Sequence, residues 1–155
     1  VHEAEANVKR ILVATDGSEA AKLAEFKAAE LAKQLDCGLT LLYVFEPPVI
    51  PPGRTALPSE ALSDYEAWGS HFISERAKTL SRPGLDIATR VIVGSAAESI
   101  AKEAEDSEIE MVVVGSRGRN AVARLLLGSV ATRLGHICPK PLLIVRTEFT
   151  PGKKS

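Results

Sequence analysis

The sequence predicts an α/β protein: one doubly wound parallel five-stranded sheet, order 3-2-1-4-5, with helices on both faces. Two observations lead there. Short apolar runs alternate with longer helix-forming stretches from residue 9 to residue 145, so each pair of strands is joined by a crossover of the kind parallel pairing needs. Most of the runs are apolar at successive positions, as in Ile11-Leu-Val-Ala14 and Met111-Val-Val-Val114, which is the pattern of strands covered on both faces. Right-handed crossovers then restrict the order to a doubly wound one, whose switch point lies between strands 1 and 4.

The elements follow in order. Lys9–Thr15 is the first strand, and Ser18 is placed to cap a helix from Glu19 to about Asp36. Ala24, Ala28, Leu31 and Leu35 make one face of that helix, Phe26 falls opposite it, and Gly38 stands as its C-terminal stop. Leu39–Phe45 is the second strand. Glu46–Pro58 carries prolines at 47, 48, 51, 52 and 58 and reads as an extended exposed loop. Ser59 to about Leu80 is the second helix, with Ala61, Tyr65, Trp68 and Phe72 on the face expected to pack on the sheet; a ligand platform is the other use of such aromatics. Leu85–Val93 alternates at Ile87, Thr89 and Val91, as an edge strand would. Ser95-Ala-Ala-Glu98 has the spacing of a capping box for a third helix to about Glu105. Ile109–Val114 is the fourth strand, Ser129 to about His136 the last helix, stopped by Pro139 and Pro141, and Leu142–Val145 the fifth strand. Residues 9–147 form the domain, 1–8 a loose leader and 148–155 a polar tail.

Composition narrows the function classes. With 155 residues the chain makes one domain with a real core. Its 19 basic and 20 acidic residues give no electrostatic case for nucleic acid or an anionic membrane. No apolar run approaches the roughly 18 residues of a spanning helix, and no signal segment marks the start, so a cytoplasmic location is expected. Cys37 and Cys138 sit in no C-x-x-C and read as reduced, packed thiols, although spacing alone leaves a disulfide open.

The chemistry concentrates after the fourth strand, in Gly115-Ser-Arg-Gly118-Arg-Asn-Ala-Val-Ala-Arg-Leu-Leu-Leu-Gly128-Ser129. Glycines let a backbone approach something bulky, and a helix opening at Ser129 offers unpaired N–H groups to an anion. Arg117, Arg119 and Arg124 add positive charge, so the stretch reads as a phosphate cradle; a turn followed by an unrelated helix boundary is the plainer account of the glycines alone. It is neither Walker A nor the dinucleotide fingerprint, whose place after the first strand holds Thr15-Asp-Gly-Ser18. In the predicted strand order Asp16 and Gly115 flank one crevice at the switch point.

These residues resemble the universal stress protein family, of its nucleotide-binding type. Ile11-Leu-Val-Ala-Thr-Asp-Gly-Ser18, Leu42-Tyr-Val44 and Val114-Gly-x2-Gly-x9-Gly-Ser-Val130 carry the resemblance, which runs on through Cys138-Pro-Lys-Pro-Leu-Leu-Ile-Val-Arg146. Asn120 and Pro139-Lys-Pro141 depart from the common family pattern and leave the phosphate glycines untouched. The resemblance implies a Rossmann-like fold of the adenine-nucleotide α-hydrolase type and binding of ATP (or ADP or AMP). It implies that Gly115, Gly118, Gly128 and Ser129 hold ribose and phosphates beside Val114 and Val130. Ala14, Thr15 and Asp16 would line the adenine side, the Val44 backbone would meet the base edge, and Ser18 would lie near the phosphates. Mg²⁺ or Mn²⁺ would be held mainly through the phosphates, with no dedicated metal ligands.

No catalytic residue is assigned. His136 and Cys138 lie about two turns from Ser129, His71 lies inside the second helix, and no lysine takes the Walker position. The expected function is therefore a nucleotide-dependent regulatory protein in the stress response, with absent or slow hydrolysis. An ATP-dependent enzyme of the related adenine-nucleotide group and a nucleotide-free interaction module are the alternatives. The uncharged run Leu142-Leu143-Ile144-Val145, at a sheet edge in the predicted order, points to a homodimer, and the resemblance implies the same contact.

Overall fold

A computed structural model describes residues 9–53, 58–118 and 127–147. The leader, the tail, Arg119, Asn120, Arg124 and residues 54–57 of the proline-rich stretch lie outside the described residues. The elements are β1 (Arg10–Ala14), α1 (Glu19–Gln34), β2 (Gly38–Phe45), α2 (Ser59–Leu80), β3 (Ile87–Val93), α3 (Ala96–Glu103), β4 (Ile109–Gly115), α4 (Ser129–Ile137) and β5 (Leu142–Val145). All pairings are parallel, and the sheet order is β3-β2-β1-β4-β5, as the sequence predicts.

Two apolar cores explain why the central strands carry apolar residues on both faces. Side chains of a strand alternate between faces. Ile11 and Val13 of β1, with Val113 of β4, pack under α1 and α2 against Ala28, Ile73 and Leu80. Leu12, Val112 and Val114 point the other way, toward Ile100 of α3 and Leu134 of α4. Burying each Leu, Ile or Val of this kind contributes about 1.5–3 kcal/mol. β3 is covered far less: Ala88, Thr89 and Arg90 are exposed, in keeping with an edge position.

The inner face of α1 is made almost wholly of alanine: Ala20, Ala21, Ala24, Ala28, Ala29 and Ala32 are buried. Small side chains let the helix backbone come close to the sheet. At β4 the approach is so near that a Cβ on Gly115 would lie 2.6 Å from the Ala20 carbonyl carbon. Leu35, expected on this face, is instead 57% exposed, because it is the C-cap and the helical period has ended there. Phe26 is exposed, as its angular position predicts.

The stop of α1 also differs from expectation. Asp36, not Gly38, takes the left-handed position, with φ 54°. The Cys37 N–H reaches the Ala32 carbonyl (2.8 Å) and the Asp36 N–H the Lys33 carbonyl (3.4 Å), the bond pair of a Schellman motif. Gly38 already belongs to β2, and its missing side chain makes room for the Arg10 guanidinium, 2.5 Å from where a Cβ would stand.

Ser95 and Glu98 do not form the expected box. The Ser95 hydroxyl donates to Glu98 Oε2 (2.7 Å), and the Ala96 N–H at the start of α3 is taken by Glu46 Oε1 (2.7 Å) from the end of β2. A carboxylate from another element has displaced the local cap. The aromatics of α2 do face the sheet, but at its margin: Tyr65 stacks on Phe45, and Trp68 and Phe72 meet the Tyr43 ring edge-on, with Trp68 still 48% exposed. Cys37 and Cys138 are free, partly buried thiols packed into opposite cores.

Candidate functional site

The strand order makes the connections after β1 and β4 leave in opposite directions, and a crevice opens between them. Its volume is about 430 Å³. The first wall is the end of β1, Ala14-Thr15-Asp16, with Ala21 of α1 behind it. The second is the end of β4 and the start of α4: Val114 to Gly118, then Gly128 to Ala131. Tyr43, Val44 and Glu46 of the β2 end and Ala96 and Ile100 of α3 close the third side.

The two parts of the glycine motif are joined directly. The Gly128 N–H donates to the Ser116 carbonyl (2.6 Å), and the Ser116 N–H to the Val145 carbonyl of β5 (2.8 Å). Here a Cβ on Gly128 would come within 3.2 Å of Arg117 Cα. Gly115 and Gly128 thus serve close approach of chain to chain, whereas a Cβ on Gly118 would meet chiefly the Asp16 carboxylate, 2.8 Å away. Gly128 is the N-cap of α4 and makes no side-chain cap bond, and Ser129 and Val130 of the first turn line the crevice. First-turn N–H groups have no partner within their helix, so this end presents donors and a positive dipole end to the cavity.

The opposite wall is a tight turn. Gly17 has φ 78°. The Ser18 N–H donates to Asp16 Oδ1 (2.9 Å), and the Gly17 N–H to the Thr15 hydroxyl (3.2 Å). Ser18 caps α1 through the Ala21 N–H (3.2 Å), and its own hydroxyl donates to the Arg117 carbonyl (3.3 Å), tying the two walls together. Asp16 therefore shapes the turn and lines the crevice at once.

Most of the residues named from the sequence meet here: Ala14, Thr15, Asp16, Val44, Val114, Gly115, Arg117, Gly118, Gly128, Ser129 and Val130 all line the cavity. Ser18 does not; it sits behind the wall as a cap and tie. Arg119 lies outside the described residues. Sequence reasoning missed Ala21, Tyr43, Glu46, Ala96, Ile100, Ser116 and Ala131. Ser116 was legible as the neighbour of Gly115, but nothing local marks the start of α3 as a wall, since only the sheet order brings it beside β2. Among the described residues no cluster of three or more His, Cys, Asp or Glu side chains could hold a metal ion, and no helix is long and apolar enough to cross a membrane.

Comparison with known proteins agrees with this architecture. The profile described as "Universal stress protein family" matches residues 7–146. The stress response protein NhaX of Bacillus subtilis is 32% identical over 161 residues, covering 88% of this chain and 97% of its own. The universal stress protein UspA of Lactobacillus plantarum superposes with a TM-score of 0.76 at 24% identity, over 90% of this chain and 98% of that one. A universal stress protein solved in complex with cAMP superposes with a TM-score of 0.64 at 24% identity, over 91% and 98%. The profile covers nearly the whole chain, and the sheet order and the glycine-lined crevice lie within the matched span: this chain belongs to the universal stress protein family.

Proposed function

We propose that the crevice binds an adenine nucleotide, with ATP as its principal ligand, and that the protein acts as a nucleotide-dependent regulator in the stress response. The observation that carries this reading is the first turn of α4, which opens on the cavity without a side-chain cap and stands beside Gly118. Phosphate oxygens there would accept from first-turn N–H groups, each contact contributing about 0.5–1.5 kcal/mol. The rest of the cavity suits a nucleoside: Ala14, Val44 and Val114 offer apolar surface for a base, and Asp16 offers an acceptor for ribose hydroxyls. Related structures hold cAMP in one case and dAMP in another, which supports the adenine class.

Mg²⁺ or Mn²⁺ fits as a partner of the phosphates. The crevice offers two carboxylates, Asp16 and Glu46, and a cation needing few protein ligands suits such a site. Neutralising phosphate charge beside those carboxylates is what the cation would supply. With no base or nucleophile assigned, turnover is expected below about one per minute, far under the usual enzyme range. The chain is expected to work in the cytoplasm.

Calorimetry with ATP, cAMP and GTP in Mg²⁺ tests the reading. Tight ATP binding with GTP at least about tenfold weaker is expected, because a base edge read by the fixed Val44 backbone leaves guanine groups unpaired at roughly 1–3 kcal/mol each. Equal affinities would refute the adenine reading. Tighter cAMP than ATP would make the cyclic monophosphate the ligand.

The same proposal extends to assembly. β5 lies at the sheet edge, pairs only with β4 among the described strands, and keeps Leu142, Leu143, Ile144 and Val145 half-buried. An uncharged apolar edge invites a second copy across a twofold axis. Light scattering is expected to give a dimer, and Ile144→Pro, which removes a ladder N–H, a monomer. A wild-type monomer at micromolar concentration refutes the dimer.

A further inference from the structure

Glu25 is the one fully buried carboxylate among the described residues, at 0% exposure, on the face of α1 that is otherwise alanine. Burying a carboxylate is costly, and an ion pair offsets the cost without bringing much net stability; an apolar pair of similar size is often as good or better. What the carboxylate touches therefore matters more than what it adds to stability. Its Oε2 is held by Arg76 of α2, through Nη2 and through Nε at 2.8 Å. Its Oε1 accepts from the Thr15 hydroxyl at 2.5 Å, at the end of β1 and in the crevice wall.

This fixes a direction. A carboxylate paired with a guanidinium only accepts, so the Thr15 hydroxyl proton points at Glu25 and its lone pairs are left for the Gly17 N–H. The Thr15 N–H is itself bonded to the Leu42 carbonyl (3.0 Å), so neither end of the residue is loose. Gly17, in its left-handed conformation, leads into Ser18, whose N–H holds Asp16 and whose hydroxyl holds Arg117. We propose that Glu25, clamped by Arg76, is a positioning residue for the Asp16–Ser18 turn and sets ligand affinity through the Thr15 hydroxyl. The chain Arg76–Glu25–Thr15–Gly17 also links α2 to the crevice, so the seat of that helix and the shape of the turn are set together. The proposal rests on the crevice being the adenine nucleotide site.

The test uses the full chain in four forms: wild type, Glu25→Leu/Arg76→Met, Thr15→Val and Thr15→Ser. The two readouts are hydrogen exchange of the Gly17 amide without nucleotide, by NMR, and ATP affinity by calorimetry. The double variant replaces the buried pair by apolar groups, so its melting temperature is expected to stay near that of the wild type or rise. Its Gly17 amide is expected to exchange about tenfold faster, and its ATP affinity to fall at least about fivefold. Thr15→Val should behave likewise, because it keeps the shape and loses the hydroxyl, while Thr15→Ser should resemble the wild type. If the double variant fails to fold, Thr15→Val against Thr15→Ser decides by the same readouts. Unchanged Gly17 exchange overturns the proposal, and so does unchanged affinity where the wild type binds ATP. A wild type that binds no adenine nucleotide refutes the ligand instead, and exchange alone then decides whether the turn is held in this way.

Discussion

At the N-terminal end of β1 the Arg10 guanidinium is buried and fully engaged: Nε donates to Thr40 Oγ1 (2.9 Å), Nη2 to the Leu39 carbonyl (2.7 Å), and Nη1 pairs with Asp86 (2.5 Å). It fills the space that the absent Gly38 side chain leaves. At the C-terminal end, Thr15, Glu25 and Arg76 are likewise bonded to one another, yet the space beside them is a cavity of about 430 Å³. The glycine at the closed end admits the protein's own cation. Gly118 at the open end keeps clear a space that the protein does not fill. Similar chemistry at two ends of one strand thus gives a structural plug at one and an open crevice at the other, and the difference lies in where the connections leave the sheet.

The largest effect is expected at the closed end. Arg10→Met leaves the Leu39 carbonyl and Thr40 hydroxyl without this donor, while Asp86, largely exposed, is served by water. A loss of about 2–3 kcal/mol follows, or about 4–12 °C in melting temperature, read by thermal unfolding. Nucleotide affinity should not change; a parallel loss of affinity would mean that the two ends are not independent.

Gly118→Val tests the open end. Its Cβ meets chiefly the Asp16 carboxylate, which also accepts the Ser18 N–H, so a local shift of that turn is expected while the two apolar cores stay untouched. Saturating ATP with Mg²⁺, at about 100 times its dissociation constant, should stabilise the wild type by about 2.7 kcal/mol and this variant hardly at all. An equal thermal shift in both proteins would remove Gly118 from the site.

The smallest effect is expected at α3, away from both ends of β1. The Ser95 hydroxyl, and then the Glu98 backbone and Arg133, hold the exposed Glu98 carboxyl below its ordinary range. A depressed carboxyl contributes stability that is fully present above its unfolded pKa and is lost as pH falls through the lower folded value. Glu98→Gln should therefore cost a little stability at neutral pH and none once pH falls below the folded value, which makes the acid limb of the stability–pH curve slightly shallower. A marked loss at neutral pH would show that α3 depends on this pair.

How much was legible locally can be judged from single elements. Ser18 was readable as the cap of α1 because its cap bond spans only to Ala21. Gly38 as the stop of α1 and the Ser95–Glu98 box were misread for the converse reason, although Ser95 does hold the N-cap position of α3. The residue that fills the space at Gly38 is Arg10 on another strand, and the group that takes the α3 N–H is Glu46, just past the end of β2. Local propensity cannot register a competitor that arrives from a distant element. The site residues divide in the same way: Asp16 and Gly118 stand out by type and by neighbours in sequence, whereas Ile100 is an ordinary apolar helix residue whose place in the wall depends on the packing of α3.

Residue order alone was enough to give the order of the sheet and the end at which its crevice opens. Strand apolarity, crossover length and handedness leave little choice of topology, and the glycines after β4 mark the switch point. Packing between distant elements set the rest: Gly115 lies against the α1 backbone as well as lining the crevice, Ser18 ties Arg117 instead of lining the crevice, and Glu25 is joined to Thr15 and Arg76. These depend on distances between residues far apart in the chain. A carboxylate at position 25 reads in sequence as one more solvated helix charge, until the packing of α1 against the sheet takes away its water.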